Sequence, residues 1–186
     1  MNNNYLKNWI KEAELVPDRV SELFQDISIE EINRKPKAYK WSIGELFDHL
    51  TVTNALYFPV FQKIIAGTHR NPFASKFSYL SDFFGKSILK SVHPENEKKL
   101  KTMRKFEPVM KEFTPDKINA FIQQHKELIA LVKQTDVVNH TKTFIGSPAN
   151  PVIVYSLEYA NKIILAHDLR HIQQASKLTG RYIENV

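Results

Sequence analysis

The chain has 186 residues, of which 42% are hydrophobic and 25% charged, as is typical of a soluble globular protein. This length suits one domain with a substantial core, so we predict a single domain over residues 1–186. Because the chain contains no cysteine, disulfides, thiolate metal ligands and a cysteine nucleophile are all excluded.

Targeting segments and charge restrict the expected partners. No apolar run approaches the ~20 residues of a membrane span, and the first five residues lack the basic and apolar regions of a signal peptide. We therefore expect a cytoplasmic protein with no membrane partner. The net charge is +6, but the lysines are scattered apart from a cluster at 98–105 that lacks base-reading side chains. We expect no nucleic-acid partner, and the charge instead suits an anionic small molecule.

The N-terminal quarter of the chain has the apolar spacing of a helix. This spacing predicts a first helix over about residues 4–25, kinked or interrupted at Pro17. Ser28 and Glu31 then have the spacing of a capping box, which predicts a short helical turn.

The second helix has the best-marked start in the chain. Ser42 and Glu45 have the spacing of another capping box. We expect this helix to run to about Ala66, to kink at Pro59 and to end at Gly67.

The second half of the chain predicts two more main helices and a longer connection. Residues 68–113 are less clear, although 79–92 have helical spacing. A third main helix should cover about 114–134, and a fourth should open at Asn150-Pro151 and close at Gly180. We therefore predict an all-α, antiparallel four-helix bundle with essentially no sheet and an extra helical connection between the second and third main helices.

Three histidines lie on predicted apolar helix faces. His167 and His171 are four residues apart, so a helix projects both from one side, the side that also carries Ile164 and Ala175. His49 lies on the apolar side of the second helix. If the second and fourth helices are antiparallel neighbours, His49 and His171 each lie about 10 Å from the same end of the bundle.

Two interpretations of these histidines are open. Each could be a core residue that hydrogen bonds to a carbonyl or a neighbouring side chain. Alternatively, a shared metal ion would satisfy all three at once, and we favour this because the three agree in face and depth. Three imidazoles suit a divalent ion such as Zn²⁺ or Ni²⁺, and they leave positions open for a reactive ligand.

Two residues beside the histidine pair are candidates for supporting roles. Gln174 points in nearly the same direction as His167 and could orient a ligand, although core polarity satisfied by the backbone would explain it equally well. Asp168 falls outside the apolar stripe, as does Arg170, and we consider Asp168 a candidate hydrogen-bond partner behind the metal ligands.

The motif Trp-Ser-Ile-Gly-Glu-Leu-Phe-Asp-His-Leu at 41–50, together with His-Asp-Leu-Arg-His-Ile-Gln-Gln at 167–174, resembles the DinB-like superfamily of four-helix metalloproteins. The resemblance covers nearly the whole chain. It implies one divalent metal ion on His49, His167 and His171. The stretch at 68–113 is longer than the usual connection of that family.

The resemblance implies several functions. Characterised members include transferases that use small thiols such as bacillithiol or mycothiol, and many others are labelled metal-dependent hydrolases. We expect an S-transferase that joins a bacillithiol-like thiol to an electrophile. A metal-dependent hydrolase and a non-enzymatic metal-binding stress protein are the alternatives, and a homodimer is possible.

Overall fold

The computed structural model describes residues 1–96, 98, 102–108 and 112–181, with the backbone alone at residue 78. Within these residues the α-helices are α1 (Leu6–Phe24), α2 (Ile29–Asn33), α3 (Ile43–Ala55), α4 (Phe58–Ile65), α5 (Ser78–Val92), α6 (Asp116–Gln134) and α7 (Leu157–Thr179). Short 3-10 helices lie at Phe73–Lys76, Arg104–Phe106 and Thr135–Val137, and two strands are β1 (Phe144–Gly146) and β2 (Val154–Ser156). The predicted all-α class is confirmed. None of the helices among these residues combines the length and apolar character of a membrane span.

Four of the helices, α1, α3, α6 and α7, form the bundle. α1 packs on α6 and α7, and α3 packs on the same two helices from the other side. The core lies between them, where the Phe47 ring contacts the rings of Phe24 and Phe121 at centroid distances of 5.3 Å each. The four-helix bundle predicted from the sequence is therefore confirmed.

Contacts between the helices show their directions. Tyr57, just after α3, forms a hydrogen bond with Tyr155, just before α7. At the other end of α3, Trp41 packs on His171, which lies in the second half of α7. α3 and α7 are therefore antiparallel neighbours, as the histidine positions require.

α3 and α6 instead run in the same direction. Asp48 pairs with Lys117 at 2.5 Å, and further along both helices, one turn on in α3 and two turns on in α6, Gln124 donates to the carbonyl of Thr51. A parallel pair needs a connection that returns along the length of the bundle. The chain between α3 and α6 makes this return. It includes α5, which was predicted as an extra helical connection, and α4, which was predicted as the last part of the second helix.

α5 lies against α7 and β2. Gly85 allows the close approach, because a Cβ atom built there would lie 2.4 Å from the Tyr159 ring. Tyr159 also donates to Asp82 at 2.9 Å, which fixes α5 along α7. The connection therefore packs on α7, the helix that carries the histidine pair, and is an integral layer of the fold.

Most predicted helix boundaries agree with the structure. Both capping boxes are present, with Ser28 and Glu31 on α2 and Ser42 and Glu45 on α3. α1 continues through Pro17 without interruption. α7 ends at Gly180, whose φ of 71° is the left-handed conformation that glycine adopts readily.

Two predicted boundaries were wrong. The second helix ends at Ala55 instead of continuing to Ala66, and α4 follows as a separate helix. Pro59 lies in the first turn of α4, where backbone N–H groups have no acceptor within the helix, so the N–H that proline lacks is not missed. The fourth helix begins at Leu157, capped by Ser156, and not at Asn150-Pro151. Residues 154–156 pair instead with β1, in a hairpin whose three-residue strands are too short for an alternating pattern to predict them.

Candidate metal centre

The three histidines meet between α3 and α7. His49 lies in the second turn of α3, which its capping box fixes, and His167 and His171 lie one turn apart on α7. His49 is buried and the other two are half-buried. Because the two helices are antiparallel neighbours, all three side chains reach the same point.

Their Nε2 atoms converge. Nε2 of His167 lies 3.2 Å from Nε2 of His49 and 3.1 Å from Nε2 of His171. Ligands bound to one tetrahedral ion at about 2.0–2.1 Å would lie roughly 3.3–3.4 Å apart. Within the described part of the chain, this is the single group of three or more His, Asp or Glu donors close enough to share an ion. The donor set therefore fits one divalent metal ion.

The opposite ring nitrogens of two of these histidines are hydrogen bonded to oxygen acceptors. Nδ1 of His49 donates to the carbonyl of Phe106 at 2.6 Å, and Nδ1 of His171 donates to Oε1 of Gln174 at 2.8 Å. A hydrogen on Nδ1 leaves a lone pair on Nε2, which is the tautomer that binds a metal. The hydrogen bonds thus orient both rings for coordination.

All three imidazoles are held in the neutral form. Burial lowers the pKa of His49, and it lowers the pKa of His167 well below its usual 6.5, with further lowering from the two neighbouring histidines. Burial and His49 lower the pKa of His171 to about 3. Neutral imidazoles are the form that coordinates a cation, so the site is prepared for metal near neutral pH.

Trp41 forms an apolar wall of the site. Its ring centroid lies 4.9 Å from that of His49 and 6.3 Å from that of His171. The indole covers the imidazoles on this side and reduces their contact with water.

A family model described as the DinB superfamily matches residues 12–175. The chain belongs to the DinB superfamily. The match includes both histidine motifs, all of α3 and α6, and most of α1 and α7. A search of the curated proteins finds no match.

The fold also resembles a solved structure, YfiT from Bacillus subtilis. The two chains superpose with a TM-score of 0.59 over 95% of this chain and 89% of YfiT, at 14% sequence identity. YfiT is described as "a probable metal-dependent hydrolase with an unusual four-helix bundle topology". At this identity the likeness concerns the fold.

The two supporting residues suggested by the sequence lie in different places. Gln174 contacts His171, as described above. Asp168 is fully buried on another side of α7, where its carboxylate accepts hydrogen bonds from Asn54 and faces Nδ1 of His125. Asp168 is buried although it falls outside the apolar stripe, because it faces Asn54 of α3 and His125 of α6.

Arg170, between the two histidine ligands, binds the connection that follows α5. Its Nη1 donates to the carbonyls of Ser91, His93 and Asn96, and its Nη2 donates to the carbonyl of Lys98 at 3.0 Å. A guanidinium presents several donors in a fixed plane, which suits this set of carbonyls. Arg170 therefore fixes the end of α5 beside the metal centre.

The sequence did not predict that the connection between α3 and α6 contributes contacts to the site. The 3-10 helix at 104–106 places the Phe106 carbonyl against His49, and Lys105 donates to the carbonyls of Pro148 and Ala149. Nothing in the sequence marks these carbonyls, because every residue has one. His125 was also given no role, although it is completely buried and bonded to Asp168.

Proposed function

We propose that the protein is a divalent-metal-dependent enzyme in which His49, His167 and His171 hold the ion and a small thiol is a co-substrate. The convergence of the three Nε2 atoms carries this proposal. Imidazole ligands suit Zn²⁺ or Ni²⁺, and three protein ligands are typical of catalytic sites, which keep a position open.

The chemistry at the open position follows from the ligand set. A bound divalent ion supplies a Lewis acid that lowers the pKa of a small thiol, so that its thiolate is available near neutral pH. The thiol comes from outside, because the chain has no cysteine. The net charge of +6 favours an acidic thiol of the bacillithiol type.

The proposed reaction is an S-transfer. The thiol gives up its proton to solvent water, its sulfur forms a bond to an electrophilic carbon of the second substrate, and the leaving group departs from that carbon with the electron pair of the broken bond. In this reaction the protein holds and orients the three imidazoles. The backbone carbonyl of Phe106 and the side chain of Gln174 fix the rings of His49 and His171, and Trp41 limits water beside them.

Hydrolysis is the second candidate. It is favoured by the description of YfiT as a probable metal-dependent hydrolase. A hydrolase would use the same Lewis acid to lower the pKa of water, with no thiol requirement. The two candidates therefore differ in whether turnover depends on a thiol.

The decisive experiment assays metal-loaded protein with several cellular thiols and monochlorobimane as a generic electrophile. We expect a thiol-dependent rate that disappears in His171→Ala, while His93→Ala, altered at an exposed histidine outside the site, retains it. Equal rates for wild type and His171→Ala with every thiol would overturn the S-transferase. Ester or amide hydrolysis without thiol would then support the hydrolase, and inactivity in both assays would support a metal-binding stress protein.

We also propose that the protein pairs with a second copy through α5 and the turn before it. Five large apolar side chains there are between 48% and 82% exposed: Phe73, Phe77, Tyr79, Leu80 and Phe83. Together they present about 600 Å² if each fully exposed side chain has roughly 200 Å². This approaches the ~800 Å² per partner of a standard stable interface and lies at the upper limit for a monomer.

A further inference from the structure

A buried polar cluster lies beside the metal centre, about a quarter of a turn around α7 from the two histidines that this helix carries. Asp168 follows His167 directly and is fully buried. Nδ2 of Asn54 donates to its two carboxylate oxygens at 3.0 and 3.1 Å, and Nδ1 of His125 lies 3.0 Å from one of them. The cluster therefore joins α7 to both α3 and α6.

The same cluster reaches the fourth helix of the bundle. Nε2 of His125 lies 3.2 Å from the carbonyl oxygen of Ala13 on α1. Asn54, His125 and Asp168 are all buried. One continuous set of hydrogen bonds thus contacts α1, α3, α6 and α7, each through a single residue.

The cluster and the metal centre connect the same two helices. On α3, Asn54 follows His49 by five residues, which corresponds to about 7.5 Å along the helix axis. On α7, Asp168 is adjacent to His167. A shift of α7 against α3 therefore changes the separation of the histidines and the Asn54–Asp168 bonds together.

Hydrogen bonds fix the position of one helix along another within a narrower range than apolar contacts do. Apolar packing is non-directional, and a helix that slides by one residue, about 1.5 Å, can repack many of its contacts. Hydrogen bonds weaken outside a narrow range of distance, and the Asp168 carboxylate would be left buried and unsatisfied. The cluster therefore favours one position of α7 relative to α3.

We propose that Asn54, Asp168 and His125 are positioning residues that set α7 against α3, and thereby set the separation of the three imidazole Nε2 atoms. The inference rests on the proposed function only in that these histidines bind a metal ion. It assigns roles to Asn54 and His125, two residues that lie outside the motifs at 41–50 and 167–174.

The experiment compares Asn54→Leu, which removes the donor at similar size, with Leu128→Ala as a matched control. Leu128 is fully buried on α6, one turn after His125, and is part of neither the polar cluster nor the metal centre. For each variant we would measure thermal stability, zinc affinity by competition with a chelator, and the visible absorption spectrum of the Co²⁺-loaded protein, which reports ligand geometry.

A positioning role makes the two variants differ. Both should lose stability, but Asn54→Leu should bind zinc about tenfold or more weakly and change the Co²⁺ spectrum, as is common for residues that orient metal ligands. Leu128→Ala should keep the wild-type affinity and spectrum. If Asn54→Leu does not fold, Asn54→Ser, which keeps a shorter donor, is judged by the same criterion.

Two results would overturn the inference, and they are distinguishable. Wild-type zinc affinity and Co²⁺ spectrum in the folded Asn54 variant, with stability alone reduced, would show that the cluster only stabilises the fold. A wild-type protein that binds neither zinc nor cobalt would instead overturn the metal centre and the positioning role together.

Discussion

Nδ1 of His49 lies 2.6 Å from the carbonyl oxygen of Phe106, 57 residues further along the chain. This contact joins the long connection between α3 and α6 directly to one of the three converging histidines. The connection is long because α3 and α6 run in the same direction, so the chain must return along the bundle. The stretch at 68–113 thus contributes one of the hydrogen bonds that orient the site.

Removing a ligand should remove the metal. We expect about one divalent ion per chain in wild-type protein purified without a nickel column, and little in His49→Ala or His167→Ala, because two imidazoles bind an open site poorly. Elemental analysis by mass spectrometry measures this. His93→Ala is the control and should keep its metal. Stoichiometric metal that survives His49→Ala would contradict the assignment of that ligand.

Gln174→Leu should weaken metal binding without removing a ligand. The change removes the acceptor for Nδ1 of His171, which lies 2.8 Å from Oε1. We expect zinc affinity to fall about tenfold, because the ring loses the bond that fixes its tautomer and orientation. Gln174→Glu, which keeps an oxygen acceptor, should retain most of the affinity in the same chelator competition. Equal zinc affinities for wild type and Gln174→Leu would show that Gln174 is only a polar side chain of the core, with no effect on metal binding.

Acid should destabilise the metal-free protein. The pKa of each histidine ligand is lower in the folded state than its usual 6.5, and that of His171 is lowered to about 3. Below about pH 7 the unfolded chain therefore binds more protons than the folded one, and stability falls progressively as pH decreases toward about 3. Metal binding should weaken over the same interval, because protons compete for the imidazoles.

Urea unfolding of chelator-treated protein at pH 7.5, 6.0 and 5.0 measures this dependence. His171→Gln removes one of the groups with a lowered pKa, so its stability should change less steeply with pH than that of wild type. A metal-free wild-type protein that becomes more stable on acidification would contradict the lowered pKa values.

The exposed apolar face around α5 should make the protein self-associate. Wild type should have a dimer mass by size-exclusion chromatography with light scattering, and Phe77→Ser/Phe83→Ser should be monomeric, because it removes two of the five exposed side chains. Ile29→Ser/Val152→Ser alters equally exposed apolar residues elsewhere and should remain dimeric. A wild-type monomer at concentrations of about 100 μM would exclude a standard stable interface at this face.

Local sequence determined the helices and the faces that they bury. The capping pair Ser42 and Glu45 set the start of α3, and the spacing of His167 and His171 placed both on one side of α7. These are properties of a single helix turn, so they can be recognised without knowing what the helix packs against. Together with His49, they were sufficient to predict the three residues that converge.

The tertiary structure decided which elements meet. The parallel direction of α3 and α6, the Phe106 carbonyl at His49 and the pairing of Asp168 with Asn54 and His125 all join residues far apart in sequence. Helical periodicity shows that a side chain faces inward but not which partner it finds there. Asp168 illustrates this, because it lies outside the apolar stripe of α7 and is nevertheless fully buried against Asn54 of α3 and His125 of α6.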